Sequence, residues 1–217
     1  MMRFPDRTQA GRELAGPLEE MRRRQELPDP LVLALPRGGL PVAVEVARAL
    51  HAPLDVLVAR KIGLPGRPEY GVGAIAGEDP PVFDPTALEM LGLTEDRLAP
   101  TVAHERTELH RREDLYRGGR PAPRTAGRTV VVVDDGLATG VTARAALRHI
   151  RRQEPAQLVL AVPVGAPQAV SALASEADTV VCPHQPAVFE AVGLWYENFP
   201  QITDEEVVAA LRTTAAG

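Results

Sequence analysis

Arg128 to Leu147 reads RTVVVVDDGLATGVTARAAL. Val130 to Val133 is an unbroken β-branched run, the pattern of a strand buried on both faces. It stops at two adjacent acids, Asp134 and Asp135. Gly136, Leu137, Ala138, Thr139, Gly140, Val141 and Thr142 follow, and a helical pattern then begins with Val141, Ala145, Leu147 and Ile150 as its apolar positions. The order is strand, acidic tip, Gly/Thr loop, helix. In a parallel sheet such a loop lies at the carboxyl end of a strand, where open α/β folds bind ligands. Backbone N–H groups of a small-residue loop that opens a helix make an anion site, helped by the helix dipole. The hydroxyls of Thr139 and Thr142 add donors. Asp134 and Asp135 repel a phosphate, but they accept hydrogen bonds from sugar hydroxyls or hold the water shell of Mg²⁺. The loop therefore suits a molecule with a phosphate at one end and a polyol beside it.

The run VVVVDDGLATGVT closely resembles the phosphoribosyl diphosphate (PRPP) motif of type I phosphoribosyltransferases. The resemblance implies an α/β fold, doubly wound on a mostly parallel sheet, with a small hood from the chain ends. It implies that Asp134 and Asp135 face the ribose 2- and 3-hydroxyls and hold Mg²⁺, through water. It also implies that Gly136 and the run Ala138, Thr139, Gly140, Val141 and Thr142 wrap the 5-phosphate. Hypoxanthine-type members carry an acid where this chain has Ala138. Adenine-type members have alanine there, so the motif supplies no base-protonating carboxylate.

A second stretch repeats the plan. Leu31 to Leu35 reads as a core strand running into Pro36-Arg37-Gly38-Gly39-Leu40-Pro41, with a helix expected to start at Pro41. Two glycines suit a turn that needs positive φ, and the arginine beside them favours an anion. In the resembling family the matching loop binds pyrophosphate, a role that falls here to Arg37, Gly38 and Gly39. Leu54 to Ala59 reads as the next strand, ending in Arg60-Lys61. Lys61 is the only lysine in a chain with 24 Lys+Arg. The family's pyrophosphate-binding dipeptide follows this strand, which points to Arg60 and Lys61; a solvated strand edge is the alternative.

Elsewhere the signals are coarser. Asp6 to Glu26 reads as an amphipathic helix, with Ala10, Leu14, Leu18 and Met21 on one stripe. Residues 63–127 read as an insertion of loop, hairpin and helix: a Gly/Pro-rich loop over Gly63 to Gly73, a hairpin around Glu78-Asp79-Pro80, and a polar helix from Thr94 through Tyr116. His104, Arg106, His110, Arg111 and Arg112 of that helix could touch substrate or form an exposed charged face. Leu158 to Val164 and Thr179 to Cys182 are further strands, separated by a helix over Pro167 to Glu176. Residues 183–217 read as a C-terminal hood and helix, with Thr203 and Glu206 as a capping box. Four of the chain's eight Phe, Tyr and Trp residues cluster there. Some members of the resembling family stack an aromatic ring on the base, and Phe189 and Trp195 are the candidates.

At 217 residues and 45% hydrophobic content the chain supports one sizeable core. A net charge of -5 argues against a nucleic-acid coat. Cys182 is the single cysteine, which excludes an intramolecular disulfide and favours a reducing cytoplasm. No apolar run approaches a membrane span, and the first residues lack a signal core. The expected activity is displacement of pyrophosphate from PRPP by a nucleobase or similar acceptor, with Mg²⁺ as cofactor. The expected partners are PRPP and that small acceptor, with a homodimer left open. A non-catalytic PRPP-binding module and a PRPP or nucleotide hydrolase are the rival readings.

Overall fold

Parallel strands buried on both faces need helices on both sides, and the computed structural model of residues 3–64 and 66–215 has that arrangement. Met1 and Met2, at the start of the segment read for a signal core, lie outside the described residues, as does Pro65. The central sheet has the order β2-β1-β6-β7-β8. Its strands are β1 (Pro30–Ala34), β2 (Leu54–Val56), β6 (Thr129–Val133), β7 (Gln157–Ala161) and β8 (Thr179–Val181), every pairing parallel. The doubly wound, mostly parallel α/β fold expected from the sequence is the one observed.

The valine run shows why the sheet needs two layers. Val131 and Val133 face a cluster containing Leu14 and Leu18 of α1 (Arg7–Arg23) and Val42 and Val46 of α2 (Gly39–Leu50). Val130 and Val132 face the opposite cluster, with Ala143, Ala146 and Leu147 of α5 (Val141–Arg151). Side chains alternate across a strand, so an all-valine strand feeds both layers at once. Each fully buried valine contributes about 1.5–3 kcal/mol.

The second strand differs from its sequence reading. β2 ends at Val56, where Asp55 Oδ1 accepts from the Val56 N–H at 2.7 Å. The apolar run continues because Leu57 and Val58 enter the two core clusters on opposite sides. The chain then begins a separate antiparallel sheet, β3-β4-β5, from β3 (Ala59–Leu64), β4 (Arg67–Ala76) and β5 (Val82–Phe83). Arg60 and Lys61 therefore lie inside β3 and not at a core strand tip. Within the Gly63 to Gly73 stretch, read as a loop, Gly63 and Leu64 end β3 and Arg67 to Gly73 belong to β4, with Gly66 in the turn between them. Gly71 and Gly73 serve close packing there: a Cβ on Gly73 would meet Val82 O at 2.8 Å. The expected hairpin before Val82 is present, as β4 pairs with β5.

Two helices follow: α3 (Pro85–Leu91), capped by Asp84, and α4 (Glu95–Arg117). The first was absent from the sequence reading, although Asp84-Pro85 is a helix-start signal. After β7 come α6 (Pro167–Leu173), a short 3-10 turn (Val192–Trp195) and α7 (Asp204–Ala215). The capping box forms: Glu206 N–H donates to Thr203 Oγ1 at 3.2 Å, and Thr203 N–H to Glu206 Oε2 at 2.7 Å. Helix α2 starts at Gly39, two residues before Pro41. The segment before α1 meets the segment before α7, where Phe4 bridges Tyr196 and packs with Ala10, Val164 and Trp195.

Candidate active site

Neighbouring strands β1 and β6 run parallel in register, with Ala34 beside Val133. Their following loops therefore emerge side by side. The contact is tight: a Cβ on Gly38 would lie 2.2 Å from Asp135 Oδ2, and one on Gly39 would lie 2.7 Å from Val133 O and 2.9 Å from Asp134 Cα. Glycine is required here by close approach, since neither residue is among those with positive φ. The Pro36–Arg37 peptide bond in this loop is cis.

The two acids have different surroundings. Asp134 Oδ1 accepts from the Asp135 N–H at 2.8 Å. Burial, then the neighbouring charge on Asp135, holds the Asp134 carboxyl well above the usual carboxylate range. Asp135 is also raised by burial, but Arg7 opposes the rise. Arg7 Nε donates to Asp135 Oδ2 at 2.8 Å, with the two side chains only 8% and 13% exposed. Arg7 also donates to Pro200 O at 2.7 Å and lies 3.6 Å from the centre of the Phe199 ring. Tyr196 Oη donates to Asp135 O at 2.6 Å. The acid tip is thus held from the first helix and from the C-terminal segment together.

Beyond the acids the loop presents donors. Leu137 is buried, its N–H donating to Val164 O and its carbonyl accepting from Ala166. The backbone N–H groups of Ala138, Thr139, Gly140, Val141 and Thr142 have no acceptor among the described residues. Gly140 has φ of 74°, and α5 begins directly after it. Ala138 and Thr139 are exposed and Thr142 is half-buried. Five consecutive unpaired amides at a helix start form a ready-made anion site.

The cationic candidates separate. Arg37 lies 3.6 Å from Asp204 of α7. Arg60 is bound to Glu105 of α4 through two nitrogens, at 2.7 and 2.6 Å. Lys61 is exposed on the other face of β3, its stem over Gly71, with no side-chain ion pair or hydrogen bond among the described residues. Consecutive strand residues point to opposite faces, so the Arg60 and Lys61 side chains leave β3 on opposite sides. The aromatic candidates also divide. Phe189 and Trp195 stack on each other, centroids 6.0 Å apart and planes at 11°. Trp195 is buried in the cluster with Phe4 and Val164, whereas Phe189 is half-buried. Val192 covers the loop, since a Cβ on Gly136 would lie 2.7 Å from its Cγ1.

Residues 6–195 match the family model described as a phosphoribosyl transferase domain. The chain belongs to the phosphoribosyl transferase family. Two Mycobacterium tuberculosis proteins, from strains CDC 1551 / Oshkosh and ATCC 25618 / H37Rv, are provisionally named phosphoribosyl transferases and are each 44% identical over 211 residues. The match covers 97% of this chain but 47% of each relative, so the chain spans about half their length. A crystal structure of TT1426 from Thermus thermophilus is 43% identical with a TM-score of 0.77, covering 97% of this chain and 98% of that one.

In this member of the family the donor set bears on a metal. Among the described residues no group of three or more His, Cys, Asp or Glu side chains could hold an ion. Two acids remain, one of them paired with Arg7. That fits Mg²⁺, which keeps several waters and takes one or two carboxylates plus substrate oxygens. Among the described residues no helix is long and apolar enough to cross a membrane. Sequence reasoning missed Arg7, Tyr196 and Asp204. Tyr196 stood in the aromatic cluster, but nothing in the local pattern linked Arg7 to a loop 128 positions away.

Proposed function

We propose that this protein is a phosphoribosyltransferase that displaces pyrophosphate from C1 of PRPP with a nucleobase or similar small acceptor, in the cytoplasm. One observation carries the reading: the unpaired amides of Ala138 to Thr142 lie directly behind the acid pair, and the Arg37-Gly38-Gly39 loop abuts that pair. A single ligand with a phosphate, a diol and a second anion matches that order of groups. The 5-phosphate takes the amides and the hydroxyls of Thr139 and Thr142. The ribose hydroxyls donate to Asp134 and Asp135. The pyrophosphate takes the Arg37 side chain and the backbone amides of Arg37 and Gly38, since the Gly39 N–H donates to Leu35 O at 3.0 Å.

Asp134 and Asp135 would hold Mg²⁺ through water, and the ion would supply positive charge to stabilise the departing pyrophosphate. Arg37 supplies more. The acid pair orients the ribose ring and favours the positive charge it gains as the bond to pyrophosphate breaks. The nucleophile's lone pair forms the new bond to C1, and the old bond's electrons leave with pyrophosphate. Val192, packed over Gly136, is the group that would help shield that reaction from water.

The test is pyrophosphate release from PRPP with Mg²⁺ across a panel of nucleobases, with water alone as the control. Base-dependent release supports the transferase. Release without a base means hydrolysis. Tight PRPP binding with no release across the panel means a sensing module.

A further inference from the structure

Asp204, the first residue of α7, sits among cations. Its Oδ1 accepts from Tyr116 Oη at 2.6 Å. Its Oδ2 lies 3.3 Å from Arg111 Nη2, and Arg37 Nη1 approaches Oδ1 at 3.6 Å. Arg112 stands beside this group without a partner. Its Nε is buried with no acceptor, and among the described residues no hydrogen bond or ion pair reaches its guanidinium. Burial loosens its hold on its proton, the like charges of Arg60 and Arg37 add to that effect, and Tyr116 and Asp204 only partly oppose it. A guanidinium stays charged in proteins, so a partly buried and unpaired one beside two others is a standing cost. An arriving anion would remove that cost.

The three contacts of Asp204 are unequal. Tyr116 and Arg111 hold it at hydrogen-bond distance, whereas the Arg37 contact is the longest. Arg37 can therefore exchange its partner while α7 stays docked on α4. We propose that Arg112 joins Arg37 in binding the pyrophosphate of PRPP, and that Asp204 is an internal competitor which the incoming anion displaces from Arg37. The identity of the anion rests on the function proposed above, whereas the competition does not.

Inorganic pyrophosphate titrated by calorimetry at low salt tests the competition directly, with ribose 5-phosphate as the control ligand. Arg112→Gln should weaken pyrophosphate about tenfold or more, the scale of a lost charged contact. Asp204→Asn, which keeps an acceptor for Tyr116, should tighten it about fivefold or more. Ribose 5-phosphate should change less than about twofold in both, since its phosphate uses the other loop. A purely structural Asp204 gives no gain in affinity. Unchanged pyrophosphate binding in Arg112→Gln, or no tightening in Asp204→Asn, overturns the inference. Should Arg112→Gln not fold, Asp204→Asn decides alone. A protein that shows both pyrophosphate effects but binds neither PRPP nor ribose 5-phosphate would instead overturn the phosphoribosyl reading.

Discussion

Arg7 Nε and Asp135 Oδ2 meet at 2.8 Å across 128 positions of sequence, joining the start of α1 to the tip of β6. Their side chains are nearly closed to solvent, and the same guanidinium binds Pro200 O and covers the Phe199 ring. One side chain therefore ties the first helix and the C-terminal segment to the acid pair.

Arg7→Met should destabilise the fold by about 2–4 kcal/mol, because removing one partner leaves the other buried and unpaired. The loss is limited by Asp135 taking up a proton. Arg7 is what restrains the rise of the Asp135 carboxyl, so its removal raises that group further. Substrate affinity in Arg7→Met should then recover as pH is raised, since the ionised acid is the better acceptor for a sugar hydroxyl. Denaturant melts and PRPP titrations between about pH 6 and pH 9 check both halves. A variant with wild-type stability would mean that the pair holds nothing together.

Asp134 predicts a trade between stability and binding. Its carboxyl is raised well above the usual range by burial and by Asp135. Above the unfolded value, about 3.9, the unfolded chain has lost that proton while the folded chain retains it. Stability then falls as pH rises through the interval between the two values. Asp134→Asn should therefore be more stable than wild type at neutral pH, with the difference shrinking towards about pH 4. PRPP binding should weaken at least about tenfold, equivalent to about 1.4 kcal/mol. Parallel urea melts at several pH values measure the first effect and calorimetry the second. Equal stability at every pH would remove the claim that this acid is held at a cost for its function.

The two glycines of the neighbouring loop should respond differently. A Cβ on Gly38 meets Asp135 Oδ2, the end of a side chain, whereas one on Gly39 meets backbone at Val133 O and Asp134 Cα. A side chain can rotate and a strand cannot. Gly39→Ala should cost about 1–3 kcal/mol of stability, as overpacking does. Gly38→Ala should cost less but push Asp135 aside and weaken PRPP. The opposite order of melting midpoints would show that the loop, not the strand tip, absorbs the strain.

The central sheet and its acid tip were legible because their cause is local. Four β-branched residues, two acids and a Gly/Thr loop are neighbours in sequence, and each settles the next. Of the second sheet only the hairpin before Val82 was legible, for two reasons. Leu57 and Val58 continue the apolar run of β2 because they fill the core between two sheets, so the strand break leaves no polar mark. Gly71 and Gly73 read as loop residues, yet they are glycine because Lys61 and Phe83 cross over them. The arginines misled in the opposite sense. Composition cannot tell Arg60, paired with Glu105, from the unpaired Arg112, because only the folded chain assigns the partners.

Arg60 and Lys61 give the last prediction. The two are adjacent, both cationic, and on opposite faces of β3. Arg60 reaches Glu105 on α4 through two nitrogens, with side chains 22% and 14% exposed. Lys61 lies exposed over Gly71 with no acidic partner among the described residues. Arg60→Ala should thus act on stability, costing about 1.5–3 kcal/mol as a charged hydrogen-bonded pair is lost. Lys61→Ala should leave stability within about 0.5 kcal/mol, as surface substitutions do. If Lys61 serves pyrophosphate when substrate is bound, Lys61→Ala weakens PRPP and leaves ribose 5-phosphate alone. Lys61→Arg then fails to restore it, because a planar fork does not replace a compact ammonium. Gly71→Ala offers an independent route to the same group: its Cβ would lie 2.5 Å from Lys61 Cδ and must move that stem. It should reproduce the PRPP defect of Lys61→Ala without touching the charge. Wild-type PRPP affinity in both Lys61→Ala and Gly71→Ala would leave Lys61 as a solvated residue and the pyrophosphate to the Arg37 side of the site.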